Sequence, residues 1–214
     1  MTAQRIVVWR HGQTALNVSG RIQGAQDHPL NDTGRTQARE IAPQIAALNP
    51  ARIVSSPLSR AFDTAQEVAA LMKLPVEQDP RLRERSFGVW EGLNRAQIQE
   101  RYPEQFAVWN AGGQPAGVGV ETKNATGIRF AAAAEEHAAA MDGGTLLIVA
   151  HGAAIAYGTC QLLGLNADEW MGLRGLDNCH WGMLIAQEER IPRWRLVAYN
   201  RLVNDEAVPN LETQ

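Results

Sequence analysis

Ile6-Val7-Val8-Trp9-Arg10-His11-Gly12 is a short β-branched run that stops abruptly on Arg-His-Gly. Such a run reads as a buried strand opening into a loop. In an α/β sheet the mouth of a strand is where ligands bind. The same arrangement returns far downstream, where Leu146-Leu147-Ile148-Val149-Ala150 leads into His151-Gly152. If the two strands are neighbours in one parallel sheet, two imidazoles meet at its rim. The expectation is that His11 attacks a phosphate and His151 helps to hold it.

Between the two copies the chain alternates between strand-like and helix-like stretches. Residues 13–24 are polar and punctuated by glycine, and read as a long loop, which in a compact domain is usually functional. From Arg35 an amphipathic helix places Ala38, Ile41, Ile45 and Leu48 on one face, with Pro43 interrupting its regularity. Arg52-Ile53-Val54-Ser55-Ser56 is the next strand, and a helix beginning near Pro57 continues through Ala61, Ala65, Val68 and Leu71 or Met72. Pro75-Val76-Glu77 is a short strand.

Residues 86–124 break the pattern and are expected to form a flap inserted over the sheet, with a short helix at 96–101. Trp90, Tyr102, Phe106 and Trp109 are divided between the flap's own core and a substrate wall. An alanine-rich helix spans 126–141, another spans 153–163 with Gly164 as its cap, and a short one is expected at 167–172. Residues 179–186 and 193–199 alternate as an antiparallel hairpin. The whole predicts an α/β fold, a three-layer α/β/α sandwich with a mostly parallel central sheet. One domain over 1–203 and a loose polar tail over 204–214 are expected.

Composition narrows the function. With 214 residues and a net charge of −3, nothing favours nucleic acid or an anionic membrane, and any affinity for anions must come from local arginines. No stretch approaches the ~18–20 apolar residues of a membrane span. Cys160 and Cys179 have no metal-ligand spacing, and the N-terminus has no secretory pattern. A cytoplasmic protein with reduced thiols is expected.

Phosphoryl transfer needs an in-line nucleophile, positive charge around the equatorial oxygens and a proton for the leaving group. His11 can be the nucleophile as neutral imidazole, its other ring nitrogen held by a backbone carbonyl. Arg10 and Arg60 can grip phosphate oxygens as guanidinium forks, and Asn17 can add a neutral donor. If protonated, His151 adds charge and a further donor. Glu84 is the candidate acid for the leaving oxygen, a role in which it must hold a proton when the ester bond breaks. No carboxylate cluster suggests a metal, so neither metal nor cofactor is expected. His28, His137 and His180 read as structural histidines, and Trp181 and Trp194 as core.

The ordered set of motifs resembles the histidine phosphatase, or phosphoglycerate mutase-like, superfamily. It comprises Val8–Thr14 with Asn17, Gln23-Gly24 with Asp27 and Pro29-Leu30, Thr33-Gly34 with Gln37-Ala38, and Ser55–Ala61 with Thr64-Ala65. It continues with Leu82–Glu84, Gly88 with Trp90–Gly92, Gly119–Thr122 and Val149–Gly152. The resemblance implies a phosphate pocket of Arg10, His11, Arg60 and His151, a phosphohistidine at His11, and Glu84 as proton donor. It implies Asn17, Gln23 and Gly24 along the pocket and its entrance, with Gly152 and Ala153 beside the substrate phosphate. The flap lacks the paired arginines of the mutases, having Arg95, Arg101 and Lys123, which favours a phosphatase. The C-terminal portion, Asp177–Trp181 and Arg193–Leu196, resembles a branch acting on glucosyl-3-phosphoglycerate, and homodimers are expected from it. The alternatives are a cofactor-dependent phosphoglycerate mutase and a non-catalytic phosphate-binding module.

Overall fold

The structure is a computed structural model and describes residues 2–202. The expected tail at 204–214 lies outside the described residues. Strand β1 (Arg5–Arg10) is buried along its middle, as its β-branched residues require. It pairs in parallel with β4 (Thr145–Ala150), Arg10 opposite Ala150. The two His-Gly exits are therefore adjacent and level. On the other side of β4 lies β2 (Pro50–Ser55), then β3 (Val76–Gln78), both parallel. β5 (Trp181–Ala186) and β6 (Trp194–Arg201) add the expected antiparallel hairpin beyond β1. The sheet order is β3-β2-β4-β1-β5-β6.

Strand alternation sends one set of side chains to each face. Val7, Trp9, Ile53, Leu147 and Val149 meet helices α2 (Asp32–Ala47) and α3 (Ser59–Met72) through Ala38, Ile41, Ile45, Ala61, Ala65 and Val68. Ile6, Val8, Val54, Leu146 and Ile148 meet α6 (Lys123–Ala139) and α7 (Gly152–Leu162) through Phe130, Ala134 and Ile155. Three layers result.

Several boundaries differ from the sequence expectation. α2 starts at Asp32 because the Asn31 side chain accepts from Gly34 N and caps it, and the helix runs through Pro43, which lies on the exposed face. Within residues 13–24 there is a short helix, α1 (Ala15–Val18), set by a capping box between Thr14 and Asn17. Met72 continues the buried face of α3, whereas Leu71 is exposed. No helix forms at 167–172. The Asn166 side chain accepts from Asp168 N and the Asn166 carbonyl from Glu169 and Trp170 N, which closes a single turn.

The segment expected as a flap builds a small core from Trp90, Ile98, Phe106, Val118 and Val120. It holds α4 (Arg95–Arg101) and a second helix, α5 (Pro103–Asn110), that the sequence reading missed. Pro103 is the first residue of α5, so it begins that helix and does not merely end the one before it. Among the described residues no helix is long and apolar enough to cross a membrane.

Candidate active site

Three neighbouring strands end side by side, and the next residue of each is Ser56 after β2, His151 after β4 and His11 after β1. The two imidazole centroids are 5.2 Å apart with their planes tilted by 60°. The two rings thus stand close enough to touch one phosphoryl group.

His11 is buried, and its Nδ1–H donates to Gly12 O at 2.7 Å. A carbonyl only accepts, so this bond leaves the lone pair on Nε2. The His11 carbonyl receives Asn178 Nδ2 at 3.1 Å and Cys179 N at 3.2 Å, while Gly12 N donates to Thr64 Oγ1. The loop after β1 is thus pinned from three directions. A close approach also requires glycine here. A Cβ on Gly34 would stand 2.0 Å from Gln13 O, and one on Gly12 2.4 Å from Gly34 O.

Arg60 is fully buried in the first turn of α3, and its guanidinium donates to Gly24 O at 2.9 Å and Gln26 O at 2.8 Å. Gly24 therefore acts through its backbone. Its φ of +56° suits glycine, and a Cβ there would strike the Glu91 carboxylate, which receives Ala25 N and Phe87 N. Glu91 so ties the flap to the loop that holds Arg60. Arg10 donates to Leu176 O. Asn17 Oδ1 is taken by Thr14 and by Asn178 Nδ2 at 3.3 Å, which leaves its NH₂ as the donor available to a ligand. Gln23 is buried near the same loop with its Oε1 unpartnered.

Glu84 sits on the N-terminus of α7. Its carboxylate receives Ala153 N at 3.1 Å, Ala154 N at 2.9 Å and Arg85 N at 2.8 Å. The first turn of a helix is favourable to any anion, and here the chain's own carboxylate takes it. The Ala153 N–H expected beside a substrate phosphate is thus bonded to Glu84. Gly152 faces Arg10, since a Cβ there would lie 3.5 Å from the guanidinium carbon.

Burial, Arg10 and Arg60 hold His11 well below the usual imidazole value, against the opposing bond to Gly12 O. Burial, Arg60, His11 and Arg10 do the same to His151. The protonation on which a charged role for His151 would depend is disfavoured by desolvation beside two guanidinium groups, and the cations here are Arg10 and Arg60. A consequence can be measured. The unfolded chain binds two protons near the ordinary value of 6.5 that the folded protein refuses, so acidification favours unfolding. The stabilising contribution is complete well above that value, begins to be lost as the pH falls below it, and is fully lost only at the much lower folded-state values. Urea midpoints are expected to drop between about pH 7.5 and 5.5, with a smaller drop in His11→Asn. A midpoint unchanged across that range contradicts a neutral buried pair.

Ser56 and Asn178 lie within the motif runs Ser55–Ala61 and Asp177–Trp181 but were given no role there, since a serine after a strand and an asparagine in a turn carry no chemical signal of their own. Trp90 and Phe106 prove to be flap core, with Tyr102 and Trp109 packed against them. Among the described residues no group of three or more His, Cys, Asp or Glu side chains could share a metal ion.

The profile of the histidine phosphatase superfamily (branch 1) matches residues 6–201. Glucosyl-3-phosphoglycerate phosphatase of Mycobacterium tuberculosis is 36% identical over 94% of this chain and 96% of its own. The structure of mycobacterial glucosyl-3-phosphoglycerate phosphatase with VO3 superposes with a TM-score of 0.82 at 36% identity, covering 92% of this chain and 99% of that one. A mutant phosphoserine phosphatase from Entamoeba histolytica, solved in complex with phosphoserine, superposes with a TM-score of 0.78 at 27% identity, covering 92% and 96%.

Proposed function

Because this chain belongs to the histidine phosphatase superfamily, we propose that it hydrolyses a small phosphorylated metabolite through a phosphohistidine at His11, without a metal. It is a phosphatase, a phosphoric monoester hydrolase. The observation that carries the proposal is the pairing of a bare His11 Nε2, set by the Nδ1–Gly12 bond, with His151 5.2 Å away.

Nε2 attacks phosphorus as the bond to the ester oxygen breaks, and Glu84 supplies the proton that oxygen needs. Glu84 then takes a proton from water, whose oxygen displaces His11 and yields inorganic phosphate. Arg10 and Arg60 stabilise the equatorial oxygens throughout. An incoming phosphate competes with Glu84 for the Ala153 N–H, and so frees the carboxyl group to meet the ester oxygen. Asn17 and Gln23 line the entrance.

The substrate we favour is glucosyl-3-phosphoglycerate or a similar phosphorylated sugar acid, on the strength of the mycobacterial relatives. Mutase chemistry is disfavoured by the engagement of two of the flap's three cations, Arg95 and Lys123. Arg95 lies over the Phe106 and Trp109 rings and binds Asn110, while Lys123 is buried against Gly112 O. We also take residues 1–203 as one domain with the 86–124 insertion, and the protein as a cytoplasmic homodimer that binds neither nucleic acid nor membrane. Light scattering tests the dimer.

The deciding experiment is a kcat/KM ranking, in chelator, of glucosyl-3-phosphoglycerate, 3-phosphoglycerate, phosphoserine and sugar phosphates. Glucosyl-3-phosphoglycerate is expected to rank first. Phosphoserine in first place would change the substrate class, and conversion of 3- to 2-phosphoglycerate would favour the mutase.

A further inference from the structure

Three buried nitrogens beside His11 have no hydrogen-bond partner among the described residues: Arg10 Nε, Arg60 Nε and His151 Nδ1. The two guanidinium atoms are donors at any accessible pH. Whether His151 Nδ1 is a donor or an acceptor depends on what holds its other nitrogen.

That partner is Ser56. Its hydroxyl is fully buried, receives Leu58 N at 3.3 Å and lies 2.8 Å from His151 Nε2. A hydroxyl has one proton, and Leu58 N–H can only donate to it. If the Ser56 proton goes to His151 Nε2, the hydroxyl and Nε2 are both paired, and Nδ1–H is the one donor left for an incoming acceptor. If Nε2 carried the proton instead, the Ser56 O–H would be left buried without an acceptor, a costly arrangement. We propose that Ser56 is a positioning residue that donates to His151 Nε2 and so keeps the ring in its Nδ1–H form, completing a set of three donors for phosphoryl oxygens.

The identity of the acceptor rests on the phosphatase reading above, whereas the tautomer does not. Charge logic agrees, because a bare Nδ1 would turn its lone pair toward phosphate oxygens, while Nδ1–H meets them as a donor. The ring can do this uncharged: burial, Arg60, His11, Arg10 and Arg129 all work against its protonation. His151 would then bind phosphate without a proton of its own to gain or lose, leaving proton transfer to Glu84.

The test is long-range ¹H–¹⁵N correlation on protein with labelled histidine near pH 7.5, with His151 assigned by its absence in His151→Gln. The wild-type ring is expected to carry its proton on Nδ1. In Ser56→Ala the Nε2–H form should become dominant, and kcat/KM should fall roughly 10- to 100-fold, the scale on which activity is lost when the partner orienting a metal-bound histidine is removed. A wild-type His151 protonated on Nε2, or a tautomer unchanged in Ser56→Ala, overturns the role of Ser56 even if the enzyme is an active phosphatase. An Nδ1–H ring in a protein inactive on every ester would overturn the phosphatase reading, and with it the phosphoryl acceptor. Should Ser56→Ala fail to fold, the wild-type spectrum alone decides.

Discussion

Replacing His11 by alanine is expected to lower kcat by at least about 10⁴-fold, the scale on which enzymes lose activity with their covalent nucleophile. The bare Nε2 is the group able to form the intermediate, and His151 cannot substitute for it because its Nε2 is bonded to Ser56. Affinity for vanadate should fall far less, since Arg10, Arg60 and the His151 nitrogen remain in place. Phosphohistidine is acid-labile, so labelled enzyme should be quenched in base, where wild type retains the label and His11→Ala does not. A variant that still turns over at a tenth of the wild-type rate would exclude His11 as the nucleophile.

The second large effect is expected from Glu84→Gln, and it should depend on the leaving group. An alkyl ester such as a phosphorylated glycerate departs as a strongly basic alkoxide and needs the proton, so kcat should fall roughly 10²- to 10⁴-fold. An aryl ester with an acidic phenol departs without one, and its phosphorylation step should change little. The amide keeps the size of the side chain, and its one carbonyl oxygen can still accept from Ala154 N and Arg85 N, although its NH₂ cannot replace the oxygen that receives Ala153 N. Equal losses in the phosphorylation step of both esters would mean that Glu84 is not the acid for the leaving oxygen, whereas an equal loss in dephosphorylation alone is the expected cost of removing the base that takes the proton from water.

Much of the molecule was legible because the signals were local. The β-branched runs, the helix faces at Ala38, Ile41 and Ile45, and the hairpin at the end all follow from side-chain periodicity within a few residues. The boundaries that were misread follow from local chemistry of another kind. The Asn31 cap begins α2 early, the Thr14–Asn17 capping box makes α1, Pro103 opens α5, and the Asn166 turn stops a helix from forming after it. Such signals depend on one side chain finding one backbone N–H, which periodicity does not report.

From its sequence alone the protein determined two buried strands that each deliver a histidine, the arginines beside them, and helices on both sides of a sheet. The tertiary structure decided what those residues do to one another. It placed β4 between β1 and β2, so that Ser56, 95 positions from His151, reaches its ring. It set Glu84 on a helix N-terminus 69 and 70 positions away, and brought Asn178 to the His11 carbonyl. It also made both imidazoles neutral, because the charge of a buried ring depends on desolvation and on cations brought near only by packing.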